Sequence, residues 1–432
     1  MIKKIYLSLV SLTFITLIEA KGAELPIIDY SSITHPEIGS GGMVVSQRRV
    51  ASEVGAQILR EGGNAVDAAV ATALALAVVL PRAGNLGGGG FMLVYSKELK
   101  KTIAIDYREM APINASRDMF LDEEGNYDRR KAQFSLLSAG VPGTVAGLYY
   151  ALNKYGTLSW GEVLDPAIKL AEDGFVVSHD LSSVLSNYKE RLTANDATAK
   201  AYYKKNKNPY AAGEIIKLPD LAWSLKKLKE IGPEAFYKGK IAEKIVSEME
   251  RNGGLITSKD LANYRVKERL PLKGTYKGYE IVSMPPSSSG GVHLIQMLNM
   301  LEPFSLKEMG FGSAKSIHLM SEVMKRAYAD RSKYLGDTDF VSVPLKGLTD
   351  KEYAKDLLKK ISLKKMTPSK SISNGNPLSY ESPDTTHFSV MDGEGNVVSN
   401  TYTLNFSYGS GIVIPGTGIL MNNEMDDFSS KK

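Results

Sequence analysis

Thr385 stands where a chain can store a nucleophile. It opens the run Asp384-Thr385-Thr386-His387-Phe388-Ser389-Val390, which has strand character and follows a stretch rich in Ser, Asn, Gly, Pro and Lys. A threonine hydroxyl is a weak nucleophile and needs a nearby base. Cleavage of the Asp384–Thr385 bond frees the threonine's own α-amine for that role, whereas the amide nitrogen of the intact chain is not basic. Such a device wants a loose segment before the threonine and an ordered strand after it. Residues 367–384 and 385–391 read as that pair.

Partners for this nucleophile lie downstream. Alternation along a strand puts Thr385, His387 and Ser389 on one face. His387 is two residues along, too far to serve the Thr385 hydroxyl directly, and reads as structural. Thr403 falls on the paired strand, where a second hydroxyl can hydrogen-bond the first. Glu424, Asp426 and Asp427 gather negative charge beside Asn405, which suits a cationic ammonium. Arg108, in Asp106-Tyr107-Arg108-Glu109, suits a carboxylate.

Other chemistries find no support. The glycine run Gly84 to Gly90 precedes a strand and lacks a following Gly-Lys-Ser/Thr, so it reads as a close backbone approach to something small, or a tight turn, and not a phosphate cradle. No Gly-x-Ser-x-Gly elbow occurs, and the three Ser-x-x-Lys matches come without Ser-Asp-Asn. The five histidines are dispersed without metal-ligand spacing. The absence of cysteine excludes disulfides and thiolate metal sites. A net charge of +5, from 53 basic and 48 acidic residues scattered along 432, does not suggest a nucleic-acid partner.

The elements that must hold these residues follow from patterning. Lys3-Lys4, the apolar stretch Ile5 to Ile18 and the small Ala20 and Gly22 read as a signal peptide over 1–22. No other stretch reaches the ~18 to 20 apolar residues of a spanning helix, so the expectation is an exported mature protein without a membrane span, periplasmic or secreted. Short strands are expected at 42–46 and 91–95. A helix from Ala65 to Leu80 is apolar nearly all round and must be buried between layers. Amphipathic helices are expected at 160–172, 218–231 and 241–251, with another starting near Val292. After the linker, strands 385–391 and 397–404 flank a turn at 392–396. Helices fall largely before the linker and strands after it, which favours a layered α/β fold.

The chain resembles the γ-glutamyltransferase (glutathione hydrolase) family of N-terminal-nucleophile hydrolases. The likeness is carried by Gly-Gly-Asn-Ala-Val-Asp-Ala-Ala at 62–69, the glycine run through Met92, Asp106 to Glu109, Val141 to Gly147, Gly253 to Thr257, Pro285 to Gly291 and Ala327 to Arg331. Thr385-Thr386-His387, Thr403 to Asn405 and Asn422 to Phe428 complete it. The resemblance implies a four-layer αββα fold, with a large-subunit region over 23–384 and a small-subunit region from 385. It implies autocleavage at Asp384–Thr385, Thr385 as nucleophile and Thr403 as the hydroxyl that orients it. It further implies Arg108 on the α-carboxylate of a γ-glutamyl group, and Asn405, Glu424 and Asp427 on its α-ammonium. The acyl group then passes from glutathione or a related compound to water, an amino acid or a peptide, with no metal or cofactor. The family's small subunit runs on beyond Met-Asp-Asp-Phe with a serine pair, an oxyanion-hole glycine pair and a lid loop. A shortened, inactive family member and an exported binding protein on the same scaffold therefore stay open as alternatives.

Overall fold

A buried helix organises the molecule. In the computed structural model, which describes residues 36–372 and 386–428, helix α2 (Ala65–Val79) has every residue buried. Alanines keep it thin, and Asn64 caps it by accepting from the Val66 and Asp67 amides. The Asp67 carboxylate closes the capping box on Asn64 N and also accepts from the Thr157 amide and hydroxyl and the Leu158 amide. A fully buried carboxylate is tolerable only with its lone pairs filled in this way.

This helix lies against a six-stranded antiparallel sheet. Its strands are β1 (Gly42–Val45), β2 (Gly89–Ser96), β3 (Lys101–Asp106), β4 (Lys267–Arg269), β5 (Thr386–Asp392) and β6 (Val397–Thr403). Their spatial order is β1-β5-β6-β2-β3-β4. Thus the β5–β6 hairpin sits between β1 and β2, in registers that set Val44 opposite Val390 and Thr403 opposite Gly89. Burial alternates along β5 as the pleat requires: Thr386, Phe388, Val390 and Asp392 are inside, and His387 and Met391 are outside. The Tyr402 hydroxyl donates to the Ala73 carbonyl of α2, at 2.8 Å, fixing helix to sheet.

Helix α1 (Arg49–Arg60) packs on α2, and α3 (Thr144–Tyr155) packs on α2, β2 and β3. Helices α4 (Trp160–Asp173) and α5 (Pro219–Ile231) form a further helical layer beyond α2. A second, smaller core joins α6 (Gly290–Leu301), α7 (Ala314–Tyr334) and α8 (Lys351–Leu358) through Met300, Leu319, Val323, Ala354 and Leu357. All of these elements belong to the unit that begins at Gly41.

Two expectations need correction. Four of the six strands precede the segment read as a linker, so strands are not collected after it. The reason is local: β4 is Lys-Glu-Arg, three residues, too few for a period to show. The first residues of that segment are also held in place. Thr367 N donates to the buried Glu322 of α7 at 3.0 Å, and Thr367 O accepts from Lys325 at 3.0 Å. Beside this six-stranded sheet, two-stranded sheets pair Phe175–Val176 with Ile215–Ile216 and Leu272–Tyr276 with Tyr279–Ser283 among the described residues. The signal-peptide region 1–22, Asp384 and Thr385 lie outside the described residues.

Candidate active site

Arg108 is placed by its neighbours before its side chain is considered. It follows β3, where the Asp106 carboxylate accepts the Arg108 amide at 3.0 Å. The Tyr264 hydroxyl donates to its carbonyl at 2.8 Å. Its guanidinium stands 5.8 Å from the Phe91 ring centroid and donates through one nitrogen to both Glu424 and Asp427, the latter at 2.7 Å.

The acidic partners come from a short helical turn, Glu424–Asp427, moored to the glycine run. Asn422 donates to the carbonyls of Gly87 and Gly140, both at 2.8 Å, and its side-chain oxygen accepts the Glu424 amide at 3.0 Å. The glycines let the chain's own backbone come close: a Cβ at Gly87 would lie 2.2 Å from the Leu420 carbonyl, and one at Gly88 would lie 2.1 Å from that of Thr403. Asn405 turns the chain after β6 in the left-handed region, at φ 76°. Asparagine tolerates that conformation better than most residues. The Asn405 amide donates to the Thr403 hydroxyl and its side-chain nitrogen to the Asn423 carbonyl, both at 3.0 Å. Its side-chain oxygen is buried without a hydrogen-bond partner among the described residues.

These residues share one cavity of about 550 Å³ whose walls include Arg108, Glu109, Thr403, Asn405, Glu424 and Asp427. Its electrostatics are set by burial. Burial pushes the Glu424 carboxyl up to about 7, with Arg108 opposing the shift and Asp427 adding to it. Burial also drives Glu109 well above the usual carboxylate range, with Glu424 adding to the shift and Arg108 opposing it. Both Glu109 oxygens are buried without hydrogen-bond partners among the described residues. For Arg108, burial works against the charge, but Glu424 and Asp427 outweigh it and hold the guanidinium protonated.

Five residues singled out from sequence, Arg108, Thr403, Asn405, Glu424 and Asp427, thus meet in one place. Asp426 does not join them. It turns away to accept from the Tyr127 hydroxyl and from Gln133, because adjacent residues of a tight turn point in different directions. His387 lies on the outer side of β5 and bonds the Thr401 hydroxyl at 2.7 Å. Sequence reading missed Glu109, although it adjoins Arg108, because the signal for it is burial and not residue type. Tyr264 and Arg269, which also line the cavity, carried no sequence signal.

Residues 51–432 match the family model for gamma-glutamyltranspeptidase. The chain is 53% identical over 399 residues to the glutathione hydrolase proenzyme of Escherichia coli K12, covering 92% of this chain and 69% of that protein. It is 42% identical to the glutathione hydrolase proenzyme of Pseudomonas sp. strain A14, covering 97% of this chain and 73% of the relative. The crystal structure of Helicobacter pylori gamma-glutamyltranspeptidase superposes with a TM-score of 0.76 at 45% identity, covering 82% of this chain and all of that one. A layered α/β fold, the cavity at the end of β6 and a family match over most of its length lead to one conclusion: the chain belongs to the gamma-glutamyltranspeptidase family.

Proposed function

We propose that this chain is a glutathione hydrolase proenzyme, which cleaves itself between Asp384 and Thr385 and then transfers γ-glutamyl groups to water or to an amine. The observation that carries the reading is the Arg108–Glu424–Asp427 cluster in the cavity wall beside Thr403 and Asn405. An α-amino acid zwitterion is the complement of such a cluster. Its carboxylate replaces Glu424 and Asp427 as the partner of Arg108, and its ammonium replaces Arg108 as their partner. Asn405, with an unfilled acceptor, adds a further partner for the ammonium.

The nucleophile follows from covalent adjacency. Thr385 is bonded to Thr386, which pairs with Tyr402, the neighbour of Thr403. In the cleaved protein the Thr385 α-amine takes the hydroxyl proton as Oγ1 attacks the γ-carbonyl carbon. The amide C–N bond breaks, and the leaving amine takes the proton. Water or an acceptor amine then attacks the ester, and the threonine hydroxyl regains a proton. Thr403 orients the nucleophile.

The substrates proposed are glutathione and related γ-glutamyl compounds, with amino acids or peptides as acceptors. The two pieces stay paired after cleavage, and residues 1–22 direct export to the periplasm or medium. No helix among the described residues is long and apolar enough to cross a membrane. The test is to express the chain, run a denaturing gel and sequence the fragments from their N-termini, then assay chromophore release from a γ-glutamyl anilide. A fragment beginning at Thr385 together with release supports the proposal. An intact chain without release refutes it.

A further inference from the structure

Arg269 ends β4 and is nearly buried, with 13% of its side chain exposed. Its Nε donates to Asp106 Oδ2 at 2.6 Å, and its two terminal nitrogens form a fork on Asp339 at 3.1 and 2.7 Å. Lys267 adds a second cation to Asp339 at 2.5 Å. The other oxygen of Asp106 is the acceptor of the Arg108 amide. A continuous chain of charge-assisted bonds therefore runs from the loop around Asp339, through Arg269 and Asp106, to the backbone of Arg108. Leu335, Gly336 and Asp337, just before Asp339, line the same cavity as Arg108.

Each link has a physical reason to be rigid. Asp106 is buried, so each of its oxygens needs a partner, and losing Arg269 strands a charge there. A planar guanidinium can grip one carboxylate with its fork while its Nε serves another; an ammonium, a point charge on a flexible stem, cannot reproduce that geometry. Arg269 and Lys267 together hold the Asp339 carboxyl far below its ordinary range, so the clamp persists across physiological pH.

We infer that Arg269 is a positioning residue for γ-glutamyl recognition, which sets Arg108 against the α-carboxylate through Asp106 and ties the 335–339 loop to the same wall. The inference rests on the proposed function, since it assigns the α-carboxylate to Arg108.

The test uses ligands that differ only in that group. L-Glutamate and 4-aminobutyrate are titrated by calorimetry into the wild-type protein and into Arg269→Lys, with thermal melts confirming that both are folded. Arg269→Lys weakens L-glutamate binding about tenfold, the size expected when one hydrogen bond to a charged group is lost, and leaves 4-aminobutyrate binding within twofold. Asp339→Asn, which keeps the Arg269–Asp106 contact, gives a smaller loss in the same direction. Equal weakening of both ligands, or no change in either, overturns the inference while leaving the proposed function standing. Failure of the wild-type protein to bind either ligand removes the proposed function, and the inference with it.

Discussion

Arg108 and Glu424 are 316 positions apart in the chain, yet the guanidinium of one donates directly to the carboxylate of the other in the cavity wall. One nitrogen of Arg108 serves both Glu424 and Asp427, which leaves the rest of the fork available for a ligand carboxylate. Arg108→Lys keeps the charge and loses the fork. The expected result is a 10- to 100-fold rise in KM for a γ-glutamyl anilide, corresponding to about 1.5–3 kcal/mol for a lost hydrogen bond between charged groups. Steady-state kinetics at saturating acceptor measure it, and an unchanged KM removes Arg108 from donor binding.

Glu424 gives the site a pH dependence of defined sign. With its carboxyl raised to about 7, the residue is neutral below that pH and anionic above it. Holding an ammonium requires the anion. The kcat/KM for a γ-glutamyl anilide should therefore rise between pH 5 and 8 with a midpoint near 7, and Glu424→Gln should remove that rise along with most of the activity. For stability the sign is opposite. A carboxyl with a raised pKa favours the folded state at low pH, and that contribution is lost as pH climbs from the unfolded value through about 7. A profile that falls over this range contradicts the assignment.

Much of this was legible before any coordinates. The buried helix read at Ala65 to Leu80 is helix α2, and the turn at 392–396 joins β5 to β6 as its Gly and Asn residues suggested. Residue chemistry pointed to Arg108, Thr403, Asn405 and the acidic group Glu424, Asp426 and Asp427, and the family resemblance singled out Glu424 and Asp427 within that group. What escaped notice depends on three-dimensional enclosure. Glu109 matters because both its oxygens are shut away from water, Asp426 drops out because a tight turn aims it elsewhere, and Arg269 enters through a strand of three residues with no readable period.

Gly143 offers a steric test of the wall behind Arg108. A Cβ at this position would stand 2.0 Å from both the Tyr107 carbonyl and the Tyr264 hydroxyl. Gly143→Ala must displace Tyr264 from the Arg108 carbonyl or shift the backbone, at about 1–3 kcal/mol of overpacking strain. Urea unfolding should show that loss. Tyr264→Phe, which removes only the hydroxyl, should lose about 1 kcal/mol. If the alanine variant were as stable as wild type, the packing described here would be wrong.

Asp392 is a second point of sensitivity. Its carboxylate accepts from the amides of Ala65, Glu394 and Asn396 and from the Asn396 side chain, at 2.7–3.0 Å. It therefore closes the β5–β6 turn and caps α2 at once. Burial opposes ionisation, but these donors prevail and hold the carboxyl below its ordinary range. Asp392→Ala should cost about 2–4 kcal/mol, since it leaves buried amides without acceptors. The stabilisation from the wild-type carboxylate is present above the unfolded pKa of about 4 and disappears as pH falls through the lower folded value. Thermal melts of both proteins from pH 3 to 7 check the amount and the direction.

The placing of β5 and β6 between β1 and β2 has a consequence for a chain cut ahead of Thr386. The downstream piece contributes two adjacent strands to the middle of a sheet whose other four strands come from the upstream piece, so it is bound along both flanks by main-chain hydrogen bonds. Pulling it out would bare four strand edges at once, two on each piece. The peptide bond is then dispensable to the assembly: two polypeptides on a denaturing gel would melt, elute and sediment as a single body, and a piece made without its counterpart would be prone to aggregation.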